Sequence, residues 1–171
     1  GTTARGIELF ARNPGGAPAN VLAMNARLGG KTAFIGKVGK DGFGDFLRQT
    51  LVESSIDVSG LVIDEKIPTT LAFVQLDSKG DRSFTFYRNP GADVMLTSAE
   101  VNRNLIDDAA IFHFGSVSLT SDPSRTATLE AARYARQQGK LVSFDSNYRF
   151  CGSTRQMPLS RCRKVSSWRI F

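Results

Sequence analysis

The sequence predicts an α/β fold built around a parallel sheet, with a small second sheet beside it. Apolar strand segments and helical segments alternate along most of the 171 residues. A strand–helix–strand order is typical of parallel strands joined by right-handed crossovers. One pair of strands is joined by a turn too short for such a crossover, so this pair is predicted to form a separate antiparallel sheet.

The first predicted element is a helix over residues 18–28. Its first turn contains Pro18, whose missing N–H costs nothing at that position, and a glycine pair ends it. A short apolar strand is predicted over residues 32–39. The second helix is predicted over residues 41–55, where Asp41 caps its start. Its apolar face consists of Phe43, Phe46, Leu47 and Leu51.

Strand signals dominate the middle of the chain. They lie at residues 61–64, 69–77 and 82–88, and the turn SKGD joins the last two into a hairpin. Polar and apolar residues alternate only loosely in these strands, which suits an exposed sheet that lies over another part of the structure. We therefore expect a small sheet over residues 59–90, inserted in a larger α/β core.

Helical signals return at residues 97–109, with Thr97 or Ser98 as the cap and Glu100 in the first turn. A continuous apolar segment follows, and then the helix–strand pattern repeats once more. The remaining predicted elements are a strand at 111–117, a helix at 122–138 that Gly139 ends, and a strand at 141–145.

Residues 150–171 differ in composition from the rest of the chain. They hold five basic residues and no acidic ones, both cysteines and the single tryptophan, so the net charge of +6 falls to about +1 over residues 1–149. Three interpretations of this segment stay open: a flexible end, a segment out of register with its parent gene, or a nucleic-acid-binding tail, which isolated basic residues support weakly. We expect the domain itself to span residues 1–149.

The bulk composition excludes several classes of protein. A hydrophobic fraction of 41% and a charged fraction of 22% are ordinary for a globular protein. No apolar run approaches the roughly 20 residues of a membrane-spanning helix, and no apolar leader segment indicates export. Two cysteines without a compact disulfide framework indicate free thiols in a reducing compartment.

Several short motifs indicate chemistry that their context does not support. Residues 25–32, NARLGGKT, differ from a P-loop at one position, but a helix leads in and a strand leads out, the reverse of the P-loop order. Residues 36–44, GKVGKDGFG, lack dinucleotide spacing and indicate either turn glycines with a cap or a loop lining a ligand pocket. His113 has no metal-ligating partner at a suitable spacing, so a strand histidine is the simpler interpretation.

Three segments instead hold polar groups suited to a polyhydroxylated ligand. They are PGGAPAN at residues 14–20, FTFYRNPGAD at 84–93 and SFDSNYR at 143–149. Amide, hydroxyl and guanidinium groups supply the directional hydrogen bonds that a sugar requires. The last segment begins in a predicted parallel strand and runs past its carboxyl end, where α/β sheets bind ligands.

These segments, with FIGKVGKDGFGDFL and IFHFGSVSL, resemble the ribokinase-like sugar kinases of the phosphofructokinase-B type, and among them bacterial fructokinases most closely. The resemblance covers residues 8–149. It implies a parallel sheet core with helices on both faces, of which this chain holds part, and a small β-sheet lid over the sugar. It also implies ATP-dependent phosphoryl transfer to a sugar hydroxyl, magnesium accompanying the nucleotide, a homodimer formed through the lid, and a cytoplasmic enzyme.

The resemblance also implies which residues bind the sugar. A structural role stays open as the alternative for each of them. The implied substrate-binding residues are Gly15, Gly16, Asn20, Tyr87, Arg88, Asn147 and Arg149.

The chain departs from the family pattern in ways that bear on catalysis. The family's catalytic base lies in a G-A-G-D segment, and these 171 residues contain none, so we assign no catalytic residue and expect no turnover from this chain alone. The family's first strand is expected before Gly1, and Ser146 stands where proline is usual. D-fructose is the expected substrate; a 2-keto-3-deoxygluconate or ribose-type kinase, or a truncated sugar-binding or dimerising module, are the alternatives.

Overall fold

The computed structural model describes residues 9–76 and 82–146. The elements in this part of the chain follow the predicted order. They are α1 (Ala17–Arg27), β1 (Thr32–Gly39), α2 (Gly42–Glu53), β2 (Ile56–Asp64), β3 (Leu71–Leu76), β4 (Arg82–Tyr87), α3 (Arg103–Asp107), β5 (Ile111–Gly115), α4 (Ser124–Gln137) and β6 (Leu141–Asp145), with 3-10 turns at Ala92–Met95, Ser98–Glu100 and Ser116–Leu119.

The strands form three pairs, two parallel and one antiparallel. Strand β1 runs parallel to β2, and β5 runs parallel to β6 with Gly115 opposite Asp145. Strands β3 and β4 are antiparallel, with Leu71 opposite Tyr87. This confirms the predicted parallel strands and the separate hairpin, which we call the lid hairpin (residues 71–76 and 82–87). The predicted strand at residues 61–64, expected in the small sheet over residues 59–90, is part of β2 and pairs with β1.

The core lies where α4 packs on the β5–β6 pair. Four alanines of α4 are buried, and small side chains there let the helix approach the strands closely. Phe114 of β5 belongs to one buried cluster with Ala132, and Ile106 of α3 belongs to another with Ala135. Ile35 of β1 packs against the second cluster, so this core joins both parallel pairs.

Helix α2 begins as the sequence predicts. Asp41 accepts hydrogen bonds from the backbone N–H groups of Phe43 and Gly44, at 3.0 and 2.8 Å, and caps the helix. Leu51 of the predicted apolar face is buried. Phe43, on the same predicted face, is 43% exposed.

The predicted helix over residues 97–109 is instead two short pieces, Ser98–Glu100 and Arg103–Asp107. Glu100 accepts a hydrogen bond from the backbone N–H of Thr97 at 2.8 Å, which completes the predicted cap. Its other carboxylate oxygen accepts a bond from the Lys37 ammonium at 2.8 Å. These two contacts hold the first turn against β1, and the backbone at Asn102 is extended, so the helix does not continue through it.

Some of the predictions from the sequence fall on residues that the structure does not describe. The SKGD turn and the interpretations of residues 150–171 lie outside the described residues. Within residues 9–76 and 82–146, no helix combines the length and the apolar character needed to cross a membrane.

Candidate functional site

The glycine pair before α1 forms an open turn. Gly16 has a φ of 116°, a conformation that residues with a Cβ rarely adopt, and its carbonyl accepts the N–H of Asn20 at 3.0 Å. A Cβ added to Gly15 or Gly16 would meet no heavy atom within 4 Å. Neither glycine is therefore required by contact with other protein atoms, and the space in front of the turn can admit a ligand.

This turn leads to the carboxyl end of β5. A Cβ placed on Gly115, the last residue of β5, would lie 3.6 Å from the Pro18 ring and 3.9 Å from the carbonyl oxygen of Asp145. The start of α1 and the ends of β5 and β6 therefore meet at one point. The predicted sugar-binding residues Asn147 and Arg149 come two and four positions after Asp145 in the sequence but lie outside the described residues.

Arg88, which follows the lid hairpin, reaches the same end of β5. Its Nη1 donates to Thr120 Oγ1 at 3.1 Å, and its Nη2 donates to the Val117 carbonyl at 3.4 Å. Its Nε donates to Asp93 Oδ2 at 2.9 Å. Because residues 116–119 follow Gly115 directly, the guanidinium lies just past the end of β5, which Pro18 of α1 approaches.

One face of the lid hairpin carries an aromatic row. The Phe73 ring packs edge-on against Phe10 at 5.3 Å between ring centroids and against Tyr87 at 5.4 Å. Tyr87 remains 64% exposed despite these contacts. An exposed ring ending in a hydroxyl offers a sugar both apolar contact and a hydrogen bond.

The structure thus gathers part of the predicted site. Arg88 contacts the segment just after β5, Pro18 of α1 lies beside the last residue of β5, and Tyr87 adjoins Arg88. Asn20 lies one turn into α1 and is exposed. Sequence reasoning missed Asp93, Thr120 and Phe10. Asp93 is the acidic residue at the end of the segment FTFYRNPGAD, so the sequence did offer a signal for it, whereas Phe10 belongs to no motif.

A buried ion cluster lies at the end of the β1–β2 pair. The Lys37 ammonium, whose side chain is 9% exposed, lies 3.0 Å from Asp64 Oδ2 and 2.8 Å from Glu100 Oε1. It also donates to the Met95 carbonyl at 3.3 Å. These bonds join β1, β2 and the segment after the lid hairpin.

The carboxylates of this cluster have lowered pKa values. Hydrogen bonds from the backbone N–H groups of Ile67 and Lys66, and then from Lys37, lower the pKa of Asp64 from 3.8 to about 2. Burial raises the pKa of Glu100, but its bonds to Lys37 and Thr97 outweigh burial and hold that pKa below its ordinary value. For Lys37, burial lowers the pKa, but its bonds to the two carboxylates outweigh burial, and the pKa is raised overall. All three groups are therefore charged at neutral pH.

The glycine-rich segment GKVGKDGFG forms a tight junction between β1 and α2. A Cβ on Gly39 would lie 2.6 Å from the Ile67 carbonyl oxygen, and a Cβ on Gly44 would lie 2.1 Å from the Gly39 carbonyl oxygen. Asp41 accepts the Thr69 N–H at 2.8 Å as well as capping α2. Close backbone packing accounts for these glycines, in agreement with the turn-and-cap interpretation.

The other candidate motifs have structural explanations. The P-loop-like segment lies after α1 and before β1, in the predicted reverse order, and Lys31 is exposed. His113 Nδ1 lies 3.0 Å from Ser143 Oγ on the neighbouring strand. In the part of the chain that the structure describes, no three His, Cys, Asp or Glu residues group as metal ligands would.

Comparison with known proteins relates this arrangement to sugar kinases. Fructokinase-1 of Oryza sativa subsp. japonica is 49% identical over 152 residues, which cover 86% of this chain and 47% of that protein. The crystal structure of fructokinase from Xylella fastidiosa is 42% identical and aligns with a TM-score of 0.78 over 86% of this chain and 46% of its own. The same enzyme with bound ATP aligns with a TM-score of 0.77.

Fructokinase from Vibrio cholerae O395, solved with fructose, ADP and a calcium ion, is 40% identical and has a TM-score of 0.70 over 79% of this chain and 43% of its own. The chain spans about half the length of the curated relatives it matches. The family model of the pfkB family carbohydrate kinases matches residues 7–163. The alignments confirm the expected ribokinase-like α/β fold, and the chain belongs to the pfkB family of carbohydrate kinases.

Proposed function

We propose that this chain supplies the sugar-binding part of an ATP-dependent kinase that converts D-fructose to fructose 6-phosphate. The observation that carries the proposal is that the start of α1, directly after the Gly15–Gly16 turn, packs at the carboxyl end of β5 while Arg88 binds the segment that follows β5. The identity to enzymes named fructokinase supports fructose as the sugar.

In this proposal the residues of the chain bind and orient the sugar. The glycine turn lets backbone N–H groups approach the hydroxyls, and the Asn20 amide donates and accepts from the start of α1. Arg88 donates from the other side, and the Tyr87 ring covers the sugar from the lid hairpin. Asn147 and Arg149, on sequence grounds, complete the site beyond β6. Holding the reacting sugar hydroxyl in one orientation makes phosphoryl transfer to it effectively intramolecular.

ATP is the proposed phosphoryl donor, with magnesium bound to its phosphates. ATP use has support from the ATP-bound fructokinase of Xylella fastidiosa. When bound, the nucleotide supplies the phosphoryl group and the ion neutralises its developing charge. The described residues do not fit a divalent-ion site, so we assign no ligand for magnesium to them. We propose that the enzyme acts in the cytoplasm.

Two alternatives make different predictions for binding. A 2-keto-3-deoxygluconate or ribose-type kinase would bind those sugars in preference to fructose. A truncated dimerising module would form dimers and bind no sugar. Sugar titrations of the purified 171-residue chain, together with sedimentation, separate all three.

Substitution of Gly15 by alanine tests the approach of the sugar to the glycine turn. The added methyl meets no protein atom within 4 Å, so the thermal midpoint is expected to stay unchanged. The methyl would occupy the space proposed for the sugar, so fructose affinity is expected to fall about tenfold or more, which corresponds to roughly 1.4 kcal/mol. Isothermal titration calorimetry with fructose measures the affinity of the Gly15→Ala variant and that of the unsubstituted chain.

Gly42→Ala is the matched control, because a methyl there also meets open space but lies at the start of α2. Equal fructose affinities for Gly15→Ala and the unsubstituted chain would remove the turn from the site. Absence of saturable binding by the unsubstituted chain would contradict sugar binding altogether. In the same preparation, labelled ATP and fructose are expected to give no turnover, because no G-A-G-D segment is present.

We also propose that a second copy of this chain covers the outer face of the lid hairpin. Side chains opposite the aromatic row form an apolar face with Val74 46% and Phe86 53% exposed, and Phe84 stacks on Phe86 at 6.1 Å between centroids. Exposed apolar strands of this kind pair with other chains unless they are protected. A self-complementary pairing of two identical hairpins would bury both faces.

Replacement of Phe86 by serine is expected to shift the sedimentation of the chain from dimer towards monomer, because it removes apolar area from the contact. The control is Val52→Ser, which changes an apolar residue of similar exposure on α2. A monomer at all concentrations before substitution, or an unchanged dimer after it, would contradict this assembly.

A further inference from the structure

Asp93 joins the two segments that connect the lid hairpin to the rest of the fold. Thr70, directly before β3, donates its hydroxyl to Asp93 Oδ1. Arg88, directly after β4, donates from Nε to Asp93 Oδ2 at 2.9 Å and from Nη2 to the same oxygen. One carboxylate therefore holds both ends of the hairpin.

The surrounding backbone is shaped for this contact. The Ala92 N–H donates to the Pro68 carbonyl at 2.9 Å, which draws the segment after the hairpin against the segment before it. A Cβ on Gly91 would lie 1.8 Å from Thr70 Oγ1, so a residue with a side chain at this position would displace the threonine. The approach of Thr70 to Asp93 thus depends on a glycine beside it.

The same carboxylate fixes the direction of the Arg88 guanidinium. Of the five N–H groups of an arginine side chain, the contacts to Asp93, Thr120 and Val117 engage four. Paired donation to a carboxylate restrains the guanidinium plane as well as its position. Among residues 9–76 and 82–146, the second N–H of Nη1 has no partner, which leaves it for a ligand near the end of β5.

We propose that Asp93 is a positioning residue, which orients Arg88 towards the sugar and couples that orientation to the seating of the lid hairpin. This inference rests on the proposed role of Arg88 in sugar binding. Without the carboxylate, Arg88 would keep its bonds to the segment after β5 but lose the charged partner that sets its plane. The hairpin would lose its contact at both connecting segments at once.

A double-mutant cycle tests whether Asp93 acts through Arg88. Asp93→Asn is expected to weaken fructose binding to the 171-residue chain about tenfold, because a hydrogen bond to a charged group is lost. In a chain that already carries Arg88→Gln, the same substitution is expected to change the affinity less than about twofold, because the residue it orients is absent. Asp108→Asn, at an exposed carboxylate after α3, is the control.

Amide hydrogen exchange gives a second readout that does not require sugar. Asp93→Asn is expected to speed exchange in both strands of the lid hairpin and to leave β5 unchanged, since β5 is held by β6 and α4. Thr70→Val, which removes one of the two hairpin contacts but keeps the ion pair, is expected to speed exchange in the hairpin with a smaller effect on affinity.

The outcomes separate this inference from the proposed function. If the unsubstituted chain binds no sugar, the proposed function fails, and the exchange measurement still decides whether Asp93 seats the hairpin. Unchanged exchange in Asp93→Asn would overturn the seating role. Affinity losses that simply add for Asp93→Asn and Arg88→Gln would overturn the orienting role.

Discussion

Replacement of Lys37 by methionine is expected to lower the free energy of unfolding by roughly 3 kcal/mol, because it leaves two carboxylates without their buried cation. The side chains of Asp64 and Glu100 are 14% and 29% exposed, so water replaces the lost ammonium only in part. Methionine keeps most of the volume of the lysine stem, which limits any loss of packing. For a chain of this length, the thermal midpoint should fall by about 6 to 12 °C.

Lys40→Met is the matched control for this substitution. Lys40 lies three residues further along the chain and pairs with Glu65, but both side chains are about two-thirds exposed. Exposed pairs of this kind contribute little, so its thermal midpoint should stay within error of the unsubstituted chain. Equal stability of the Lys37 and Lys40 variants would contradict a structural role for the buried cluster.

The acid limb of the stability curve gives an independent check on the same cluster. A carboxyl whose pKa is lowered in the folded state stabilises the fold above its ordinary pKa and loses that contribution as the pH falls through the folded value. For Asp64 the loss falls between about pH 4 and about pH 2. Because Lys37 lowers the pKa of both carboxylates, Lys37→Met should reduce the pH dependence of the free energy of unfolding in this range.

Periodicity and local chemistry were enough to predict most of the fold. The starts of α1, with Pro18 in its first turn, and of α2, capped by Asp41, are marked by residue types within one turn, and the strands at residues 32–39 and 111–115 are short segments of mostly apolar residues. The predicted continuous helix over residues 97–109 is wrong for a reason that lies far away in the sequence. Glu100 is bound by Lys37 from β1, and no local pattern reveals that the turn is held away from the following helix.

The candidate site divides in the same way. The glycine turn, Tyr87 and Arg88 were predicted as site residues because each lies in a short sequence segment that resembles the family. The role of Asp93 depends on Thr70, a residue 23 positions earlier that meets it only after the hairpin folds back. A contact formed by chain reversal has no signature in a single sequence, so only the structure could supply it.

The glycines of GKVGKDGFG show how space decides between two interpretations of one motif. Helix propensity alone predicts that Gly44→Ala stabilises α2 by up to about 1 kcal/mol. The added Cβ would, however, lie 2.1 Å from the Gly39 carbonyl oxygen and 3.1 Å from Thr69 Oγ1. A backbone carbonyl at the end of β1 cannot rotate away as a side chain can, so relief requires α2 to move from the strand.

We therefore expect Gly44→Ala to lower the free energy of unfolding by about 2 kcal/mol or more, the usual range for overpacking a tight contact, and the thermal midpoint by about 4 to 8 °C. Gly42→Ala, two residues earlier in the same helix, adds its methyl to open space and should leave the midpoint unchanged or slightly raised. Thermal unfolding of the two variants measures the difference. A Gly44 variant as stable as the Gly42 variant would show that the junction tolerates a side chain, and the glycine would then require an explanation outside backbone packing.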